Sequence, residues 1–407
     1  MERNFGKISI TEKGERALRG GHPWVYADEV TATDEVENGA VVDVFSQRGR
    51  YLGSGFYNGM SKIRVRVISD NANDRFDEAF FQRRIKHALL YRRTVMPKED
   101  RRACRLIFGE ADRFPGFTVD RFENILVTQT LSLGIELRKD MLYRMLVEEL
   151  RADGEKIDAV YERNDVAIRA LEGMDQYTGF YRAEGFRDDL PGIVRITENG
   201  ILYDVDYMNG QKTGFFLDQK YNRRAAARLA EGKNVLDCFT HTGAFALNTA
   251  AAGAASVTAV DVSADALAMA KHNAELNGLL PRMRFLQADV FDLLTDLKKK
   301  GGSPYDFIIL DPPAFTKSSA TKQNAYRGYK EINKKAMQLL PRGGYLATCS
   351  CSHFMTEPYF CRMLHDAAME AGVSLRQIEG RKQSPDHPIL WNVPETEYLK
   401  FYLFQIV

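Results

Sequence analysis

The sequence lacks several features that mark particular classes of protein. No apolar run approaches the roughly 18–20 residues that a membrane-spanning helix needs, and the first residues contain no apolar segment of the signal-peptide kind. The five cysteines are odd in number and widely scattered, which argues against a disulfide framework. The net charge is only +1, so any affinity for nucleic acid must come from a local patch. We therefore expect a cytoplasmic protein that makes no contact with membranes.

The chain of 407 residues is too long for one ordinary domain, and its patterns change twice along its length. Residues 1–75 contain short β-type runs separated by glycine turns, which predicts a small β-barrel. Residues 76–190 combine strand candidates with helical segments, as in a compact α+β domain. In residues 191–407 strands and helices alternate, which is typical of a parallel, doubly wound sheet. The predicted fold class is therefore α/β multidomain, with a Rossmann-like third domain.

Some local patterns give more specific predictions. The alternation of basic and apolar residues over 62–68 predicts a strand whose basic side chains, including Arg66, face solvent. A helix is expected over 73–94, with Leu90 on its apolar side. A further helix is expected over 134–152.

A basic run lies between Arg83 and Arg105, with nine basic residues against only Glu99 and Asp100. Such a run is usually a solvated helical face. It is also compatible with a stripe of cations that faces phosphate groups. The sequence leaves both interpretations open.

Acidic residues follow three successive strands of the third region. Asp237 and Phe239 lie in the first of these strands, and the single glycine of the following turn is Gly243. One glycine is not the triple-glycine turn that brings backbone onto a pyrophosphate, so the pattern favours S-adenosylmethionine over NAD. Asp261 ends the next strand, where an acid suits the hydroxyls of a ribose. Asp289 follows the third strand, where its carboxylate could accept from an adenine amino group.

The fourth of these strands, 306–310, runs directly into Asp311, Pro312 and Pro313, with Phe315 two residues further on. The prolines cannot donate hydrogen bonds to a sheet and turn the chain out of it. Ligands of open α/β sheets bind beyond the carboxyl ends of the strands. We therefore expect Asp311 at the edge where the cofactor and the substrate meet.

These strand-end segments resemble the successive motifs of a class I S-adenosylmethionine-dependent methyltransferase. The upstream sequence NGQKTGFFLDQKYNR, at 209–223, is similar to the bacterial large-subunit ribosomal RNA cytosine-C5 methyltransferase family of the RlmI type. Members carry an N-terminal PUA domain, a middle α+β domain and a C-terminal Rossmann-like methyltransferase domain. The three regions follow that order, and GHPWVY at 21–26 fits the start of the PUA domain. The resemblance implies RNA binding, ribosomal RNA processing and a 5-methylcytosine product.

Methylation of cytosine at C5 needs a thiolate that adds to C6, because C5 alone is poorly nucleophilic. The position of the family's nucleophile falls on Cys351, near the exposed end of the strand that follows Gly343 and Gly344. Cys349 lies within that strand and is the alternative. The two cysteines have no second ligand pair at zinc spacing, so no metal is expected.

The resemblance also suggests roles for the residues after the fourth strand. Asp311 would hydrogen-bond the edge of the cytosine ring and favour protonation at N3. Pro312 and Pro313 would hold that carboxylate in place, and Phe315 could stack on the base. Many RNA cytosine-C5 methyltransferases carry a second cysteine where Pro313 stands, so the base that releases the product stays unassigned; neither Lys317 nor His353 is given that role.

Two other functions remain open from the sequence. Asp-Pro-Pro-aromatic motifs also serve enzymes that methylate guanine or adenine by direct transfer, without a cysteine. A non-catalytic RNA-binding factor in ribosome assembly is the third interpretation. The expected partner is ribosomal RNA of the large subunit or of its assembly intermediate, and the sequence allows a homodimer without fixing the oligomeric state.

Overall fold

The computed structural model describes residues 4–316 and 321–407. The chain forms two compact units. The first comprises the chain up to Ile196 together with Val205–Leu217 and Pro385–Thr396. The second comprises Thr197–Asp204, Asp218–Ser384 and Glu397–Val407. The predicted boundaries near residues 75 and 190 stay predictions.

The first part of the chain, up to Ser69, is mostly strand. Its elements are β1 Gly6–Ile10, α1 Glu12–Arg19, β2 Trp24–Tyr26, β3 Val30–Thr33, β4 Val41–Ser46, β5 Tyr51–Tyr57 and β6 Ile63–Ser69. They form a six-stranded sheet in the order β2-β6-β5-β4-β1-β3. Strands β1 and β4 are parallel, and the other neighbours are antiparallel.

The next part of the chain forms a second sheet in the same unit, with two long helices. Its elements are α2 Glu78–Val95, β7 Ala103–Phe108, β8 Phe117–Phe122, β9 Ile125–Thr130, α3 Leu133–Glu136, α4 Lys139–Ala152, β10 Ala159–Arg163 and β11 Thr178–Phe180. The strand order is β11-β10-β9-β8-β7. A two-stranded hairpin, β12 Ile193–Glu198 and β13 Ile201–Asp206, follows.

The two sheets of the first unit share one hydrophobic core. Val41 and Phe56 of the six-stranded sheet lie in the same buried cluster as Phe81 of α2 and Phe117 of β8. Burial of apolar surface stabilises by roughly 25 cal/mol per Å², so a continuous core joins the two sheets into one compact unit.

A buried polar network corrects the prediction for Arg66, which was expected to face solvent. Arg66 is only 8% exposed, and its guanidinium lies 3.0 Å from Glu172 Oε1 and 3.3 Å from Glu110 Oε1. Glu172 also accepts from Asn58 Nδ2 at 3.0 Å and from Ser61 Oγ at 2.6 Å. The period-2 pattern correctly predicted the strand. It could not show that carboxylates distant in sequence cover its polar face.

Two predicted helices have different bounds in the structure. Helix α2 begins at Glu78, because the Asp77 carboxylate accepts from Phe80 N at 2.9 Å and caps the first turn. Leu90, expected on the apolar side, is 57% exposed. The helix predicted over 134–152 is interrupted between α3 and α4, where Arg138 has non-helical angles and donates to Gly39 O at 3.0 Å.

The second unit holds the predicted parallel sheet. Its elements are α5 Lys220–Ala227, β14 Asn234–Cys238, α6 Ala244–Ala251, β15 Ser256–Asp261, α7 Ala264–Leu276, β16 Met283–Gln287, α8 Val290–Lys299, β17 Phe307–Leu310, α9 Lys322–Leu339, β18 Tyr345–Ser350, α10 Glu357–Ala371, β19 Leu375–Arg381 and β20 Lys400–Ile406.

The seven strands of this sheet have the order β16-β15-β14-β17-β18-β20-β19. The five from β14 to β18 are parallel, and β20 and β19 close the sheet with antiparallel pairing. Helices α8, α9 and α10 contribute to one buried core with β14, β17 and β18. Across the described chain, no helix combines the length and the apolar character needed to cross a bilayer.

Candidate active site

The predicted site residues of the second unit lie along the carboxyl edge of the central strands. Strand β17 lies between β14 and β18, with Leu310 paired to Cys238 on one side and to Thr348 on the other. Asp311 is the first residue beyond β17, and its N–H donates to Cys238 O at 3.4 Å. This arrangement brings the acids after β14, β15 and β17 and the cysteines of β18 to one edge, as in other open α/β sheets.

The turn after β14 has a backbone that few residues adopt. Phe239 and His241 have φ angles of 63° and 51°, and Gly243 has φ 83°. A Cβ on Gly243 would lie 2.9 Å from Ala270 Cβ, so the turn needs glycine for both its φ angle and its close approach to α7. The predicted Gly243 is therefore essential to the shape of this turn.

Asp237 holds the same turn from inside. Its Oδ2 accepts from Thr240 Oγ1 at 2.5 Å and from Ala246 N at 3.0 Å, and its side chain is fully buried. Burial, together with the nearby carboxylates Asp311 and Asp261, raises the pKa of Asp237 to about 7. Within residues 4–316 and 321–407, its Oδ1 has no hydrogen-bond partner. A buried acceptor without a partner fits a cationic ligand group such as the ammonium of S-adenosylmethionine.

Asp261 and Asp289 both form hydrogen bonds to nearby backbone. Asp261 accepts from His241 N at 2.9 Å and from Ser263 N at 3.0 Å, which links the glycine turn to the loop after β15. Asp289 is exposed and caps α8, where its Oδ1 accepts from Phe291 N at 2.8 Å. The predicted contacts of these two acids with ribose and adenine stay predictions.

Asp311 lies in a polar cluster that includes residues far away in the sequence. Gln219 Nε2 donates to Asp311 Oδ1 at 2.9 Å, and Asn222 Nδ2 donates to Gln219 Oε1 at 2.7 Å. Burial, together with the negative charge of Asp218, raises the pKa of Asp311 to about 6. The Cys349 thiol and Gln219 oppose this rise by hydrogen bonding to the carboxylate. Asp311 can therefore exchange a proton near neutral pH.

The two cysteines have different surroundings. Cys349 is fully buried opposite Phe401 of β20, and its thiol hydrogen-bonds Asp311. Burial and the adjacent Asp311 raise the pKa of Cys349 well above its usual range, which disfavours the nucleophilic thiolate. Cys351 lies beyond the end of β18 and is only half-buried.

A buried lysine lies near Cys351. Lys400 of β20 is 2% exposed and pairs with Ser350 in the sheet. Its Nζ donates to Ser352 O and to Tyr398 O, each at 2.7 Å. Burial lowers the pKa of Lys400 to about 8, while the charge of Cys351 acts in the opposite direction. The ammonium of Lys400 is therefore close enough to interact electrostatically with Cys351.

The aromatic residue after the prolines packs among other rings. Phe315 lies 4.6 Å from the ring of Tyr329, 5.8 Å from Phe291 and 6.4 Å from Phe239, measured between ring centroids. Pro312 is buried and Pro313 is exposed. The half-buried Phe315 thus joins the loop after β17 to the turn after β14. The stacking of Phe315 on a base, and the roles of Pro312 and Pro313 toward the substrate, stay predictions.

Gln219 and Lys400 were missed by the sequence analysis, although each left a signal. Gln219 lies in the 209–223 segment that carries the family resemblance. Lys400 is the only charged residue of the apolar strand β20. Of the two unassigned candidates near the site, His353 is exposed with its ring 5.6 Å from Tyr398, and Lys317 lies outside the described residues.

Comparisons with known proteins identify the family and the cofactor. Residues 181–405 match the S-adenosylmethionine-dependent methyltransferase family, and residues 8–70 match the PUA-like domain. Ribosomal RNA large subunit methyltransferase I of Shewanella amazonensis is 41% identical over 97% of this chain and 98% of its own length. The Klebsiella pneumoniae protein of the same name is 38% identical over 99% of both chains.

The chain belongs to the ribosomal RNA large subunit methyltransferase I family. Membership confirms the predicted family, the Rossmann-like methyltransferase fold with a PUA-like domain, and S-adenosylmethionine as cofactor. Among solved structures, a methyltransferase from Streptococcus mutans has the same fold, with a TM-score of 0.81 at 21% identity over 98% of this chain and 99% of that one. Another, a methyltransferase in complex with SAH, has a TM-score of 0.82 at 21% identity over the same shares of the two chains.

Proposed function

We propose that this large subunit methyltransferase I family member methylates C5 of a cytosine in large-subunit ribosomal RNA, with Cys351 as the covalent nucleophile. Relatives at 38–41% identity over nearly the whole chain carry the name ribosomal RNA large subunit methyltransferase I. The PUA-like match at residues 8–70 supports an RNA substrate. The observation that carries the covalent part is that the half-buried Cys351 lies within electrostatic range of the buried amino group of Lys400, which donates to the backbone of the adjacent Ser352.

The contrast between the two cysteines supports the choice of Cys351. A thiol becomes a nucleophile as its thiolate, and a nearby cation stabilises that form. Cys349 has the opposite environment, since burial and the Asp311 carboxylate disfavour its thiolate. Its thiol instead hydrogen-bonds Asp311 and helps to position that side chain.

In the proposed reaction the Cys351 thiolate forms a bond to C6 of the cytosine, and the electrons of the C5=C6 bond move through C4 to N3. N3 takes a proton from the Asp311 carboxyl group, whose pKa of about 6 allows it to carry one. S-adenosylmethionine supplies the methyl group that C5 accepts, and the sulfonium of the cofactor would become a neutral thioether. A base then removes the C5 proton, the Cys351–C6 bond breaks to restore C5=C6, and N3 returns its proton to Asp311.

The residues that would hold the cofactor lie around the turn after β14. Asp237 offers its buried Oδ1 to the cationic end, and Phe239 and Gly243 shape the turn. Asp261 would hold the ribose and Asp289 the adenine amino group. Asp311 completes the set, because it lies at the same edge of the sheet.

The test is a methylation assay on large-subunit ribosomal RNA with the variants Cys351→Ala, Cys351→Ser and Cys349→Ala. We expect both Cys351 variants to lose transfer of labelled methyl groups, and Cys349→Ala to keep a measurable rate because its thiol only supports Asp311. Mass spectrometry of the product should identify 5-methylcytidine. RNA containing 5-fluorocytidine should form a complex with the wild type that is stable to denaturant, because the fluorine at C5 cannot leave as a proton does.

The same assay separates the alternatives. Activity that survives Cys351→Ala, with a methylated guanine or adenine in the product, would establish direct transfer without a covalent step. The absence of S-adenosylmethionine binding in isothermal titration, with RNA binding retained, would favour a non-catalytic role in ribosome assembly.

The remaining expectations are part of the same proposal. We propose domains at 1–75, 76–190 and 191–407, activity in the cytoplasm, and free ribosomal RNA or an assembly intermediate of the large subunit as the substrate particle. A homodimer is compatible with this function. Light scattering of the purified protein, together with methylation assays on naked RNA and on ribosomal particles, tests these points.

A further inference from the structure

A cavity of about 580 Å³ lies within the first unit, away from every residue assigned above. One wall is helix α2, with Arg84, His87 and Tyr91. Another is the turn after β7 that contains Arg113, and a third is formed by Pro388–Leu390 of the 385–396 segment. The cavity therefore lies on the basic run that the sequence left with two interpretations.

Most cations of that run lie within 4.0 Å of a carboxylate, which favours a solvated face over a continuous phosphate-facing stripe. Arg92 is buried in a bidentate pair with Asp112 at 2.5 and 2.7 Å. Arg105 binds Asp120 at 2.7 Å, and Lys86 lies 3.3 Å from Glu149. The largely buried pairs of Arg92 and Arg105 stabilise the fold and are not available to a ligand, whereas Lys86 is exposed and has Glu149 as its partner.

Arg84 and Arg113 are different, because neither has a carboxylate within 4.0 Å among residues 4–316 and 321–407. The half-buried guanidinium of Arg84 lies 4.4 Å from the Phe80 ring centroid and donates to Arg113 O at 3.4 Å. Burial and the neighbouring charge of Arg113 lower the pKa of Arg84 to about 10. Asp74 and Asp112 also line the cavity, but Asp112 is paired with Arg92, and Asp74 accepts from Ser69 Oγ and lies 4.0 Å from Arg83. The guanidinium groups of Arg84 and Arg113 therefore remain suited to bind an anion, and their planar donors match phosphate.

One exposed aromatic side chain lines the cavity, and a second follows its lining residues in the chain. Tyr91 lines it and is 37% exposed. Trp391 directly follows the lining residue Leu390 and is 98% exposed. An indole held in solvent has no role in packing and is suited to stack on a base.

The exposed Trp391 lies in a segment that hydrogen bonds hold on both sides. Asp386 O accepts from Arg92 Nη2 at 2.8 Å, and Asp386 Oδ2 accepts from Arg105 N at 2.8 Å. On the other side of the tryptophan, Asn392 Nδ2 donates to Gly21 O at 2.7 Å. The chain thus fixes both flanks of Trp391 while leaving its ring in solvent.

We propose that this cavity binds one nucleotide of single-stranded RNA, with its phosphate on Arg84 and Arg113 and its base against Tyr91 or Trp391. The combination of cations for the backbone and exposed rings for a base is the one that single-stranded nucleic acids require. The proposal rests on ribosomal RNA being the substrate, and concerns a nucleotide other than the one that is methylated.

The test uses the full-length protein and in vitro transcribed large-subunit ribosomal RNA. We expect the double variant Arg84→Gln/Arg113→Gln, and separately Trp391→Ala, to raise the Kd for RNA by about tenfold. The double variant should also reduce the slope of log Kd against log salt by about 0.7 for each phosphate group that the protein no longer binds.

KM for RNA should rise in both variants while kcat and S-adenosylmethionine affinity stay unchanged. Trp391→Ala should fold normally, because a side chain that is 98% exposed does not support the fold. A loss of RNA affinity in this variant would therefore not be caused by misfolding.

Lys86→Gln is the matched control, because it removes one cation from the same helix where the cation already has a carboxylate partner. An equal loss of RNA affinity in Lys86→Gln would overturn the site, since it would show only a general charge effect. Unchanged RNA binding in both cavity variants, with a wild type that methylates RNA, would overturn the site and leave the proposed function standing. A wild type that neither binds nor methylates the RNA would refute the proposed function itself. Millimolar inorganic phosphate should displace RNA from the wild type but not from the cavity variants, and this result would support the site. A free mononucleotide that binds tightly but leaves RNA binding unchanged would contradict it.

Discussion

Replacement of the buried Lys400 by methionine gives a sharp test of the site. Lys400 is 2% exposed, and its ordinary pKa of 10.5 falls to about 8 in the folded protein because of burial. Met has a similar length and no charge, so Lys400→Met removes the cation with little change in packed volume. Two backbone acceptors, Ser352 O and Tyr398 O, lose their donor.

The effect on stability depends on pH in a defined direction. Between about pH 8 and 10.5 the unfolded chain binds a proton at Lys400 that the folded chain has released, so the free energy of unfolding rises with pH. One pKa unit corresponds to about 1.4 kcal/mol. The difference between the two pKa values of Lys400 therefore corresponds to about 3 kcal/mol of stability. Lys400 therefore destabilises the fold by about this amount below pH 8 and ceases to do so above pH 10.5. The lost hydrogen bonds at Ser352 and Tyr398 lower the stability of the methionine variant by a similar amount at all pH values.

Urea unfolding of the wild type and of Lys400→Met at several pH values from 7 to 11 measures this difference. We expect the wild type to gain about 3 kcal/mol relative to the variant across this range, because every other titrating group is common to both proteins. We also expect a lower rate of methylation in the variant near neutral pH, with partial recovery at higher pH as more of Cys351 becomes thiolate. Parallel stability curves for the two proteins, or an unaltered pH profile of methylation, would refute the role assigned to Lys400.

Three further predictions concern other parts of the chain. Gly243→Ala should lower S-adenosylmethionine affinity in isothermal titration and stability by at least about 1–2 kcal/mol, because its Cβ would lie 2.9 Å from Ala270 Cβ at a φ of 83°; Gly278→Ala, at φ 66° in open space, is the control without the close approach. Glu172→Gln should cost about 3 kcal/mol in urea unfolding, since it leaves the buried Arg66 short of a carboxylate. Asp311→Asn should reduce kcat by about 100-fold or more. The pKa of Asp311 is 3.8 in the unfolded chain and about 6 in the folded protein, so this carboxyl group stabilises the wild type fully below pH 3.8 and no longer does so once the pH has risen through about 6. Asp311→Asn should remove that pH-dependent contribution.

Each of these predictions has a contradicting result. Equal loss in the two glycine variants would show that only the φ angle matters and not the approach to α7. A Glu172→Gln protein as stable as the wild type would mean that Glu110 alone satisfies Arg66. An Asp311→Asn enzyme with an unchanged pH dependence of stability would remove Asp311 as a titrating group in this range.

Sequence patterns were most reliable for the central strands of the second unit. Strands β14, β15 and β16 lie where strands were predicted, because each contains a short run with apolar residues that ends at turn residues. The strand-end acids and Gly243 were predicted for the same reason, since each lies at a fixed offset from such a run. The errors arose where distant partners decide the outcome. Arg66 is buried because Glu110 and Glu172 neutralise it.

The helices show the same limit. The periodic pattern over 134–152 continues through Arg138, yet the helix is interrupted where that side chain donates to Gly39 O, 99 residues away in the chain. Asp77 could have been recognised as a cap from its position ahead of an apolar segment. The interruption at Arg138 could not, because it coincides with a contact to Gly39, in the turn before β4, that the local pattern does not show.

The sequence by itself determined the class of the protein: strand-end motifs, a single-glycine turn and the 209–223 segment specify the cofactor and the family, because these features are local in the chain. Only the tertiary structure decided how the chemical groups differ from one another. It buries Cys349 against Asp311, places the Lys400 cation near Cys351, and brings Gln219 to Asp311 across 92 residues. Within the described part of the chain, it also leaves Arg84 of the basic run, and Arg113 beyond that run, without a carboxylate within 4.0 Å, although most other cations of the run are paired. The reactivity of a thiol and the availability of a cation depend on burial and on neighbouring charges, which are set by residues far away in the sequence.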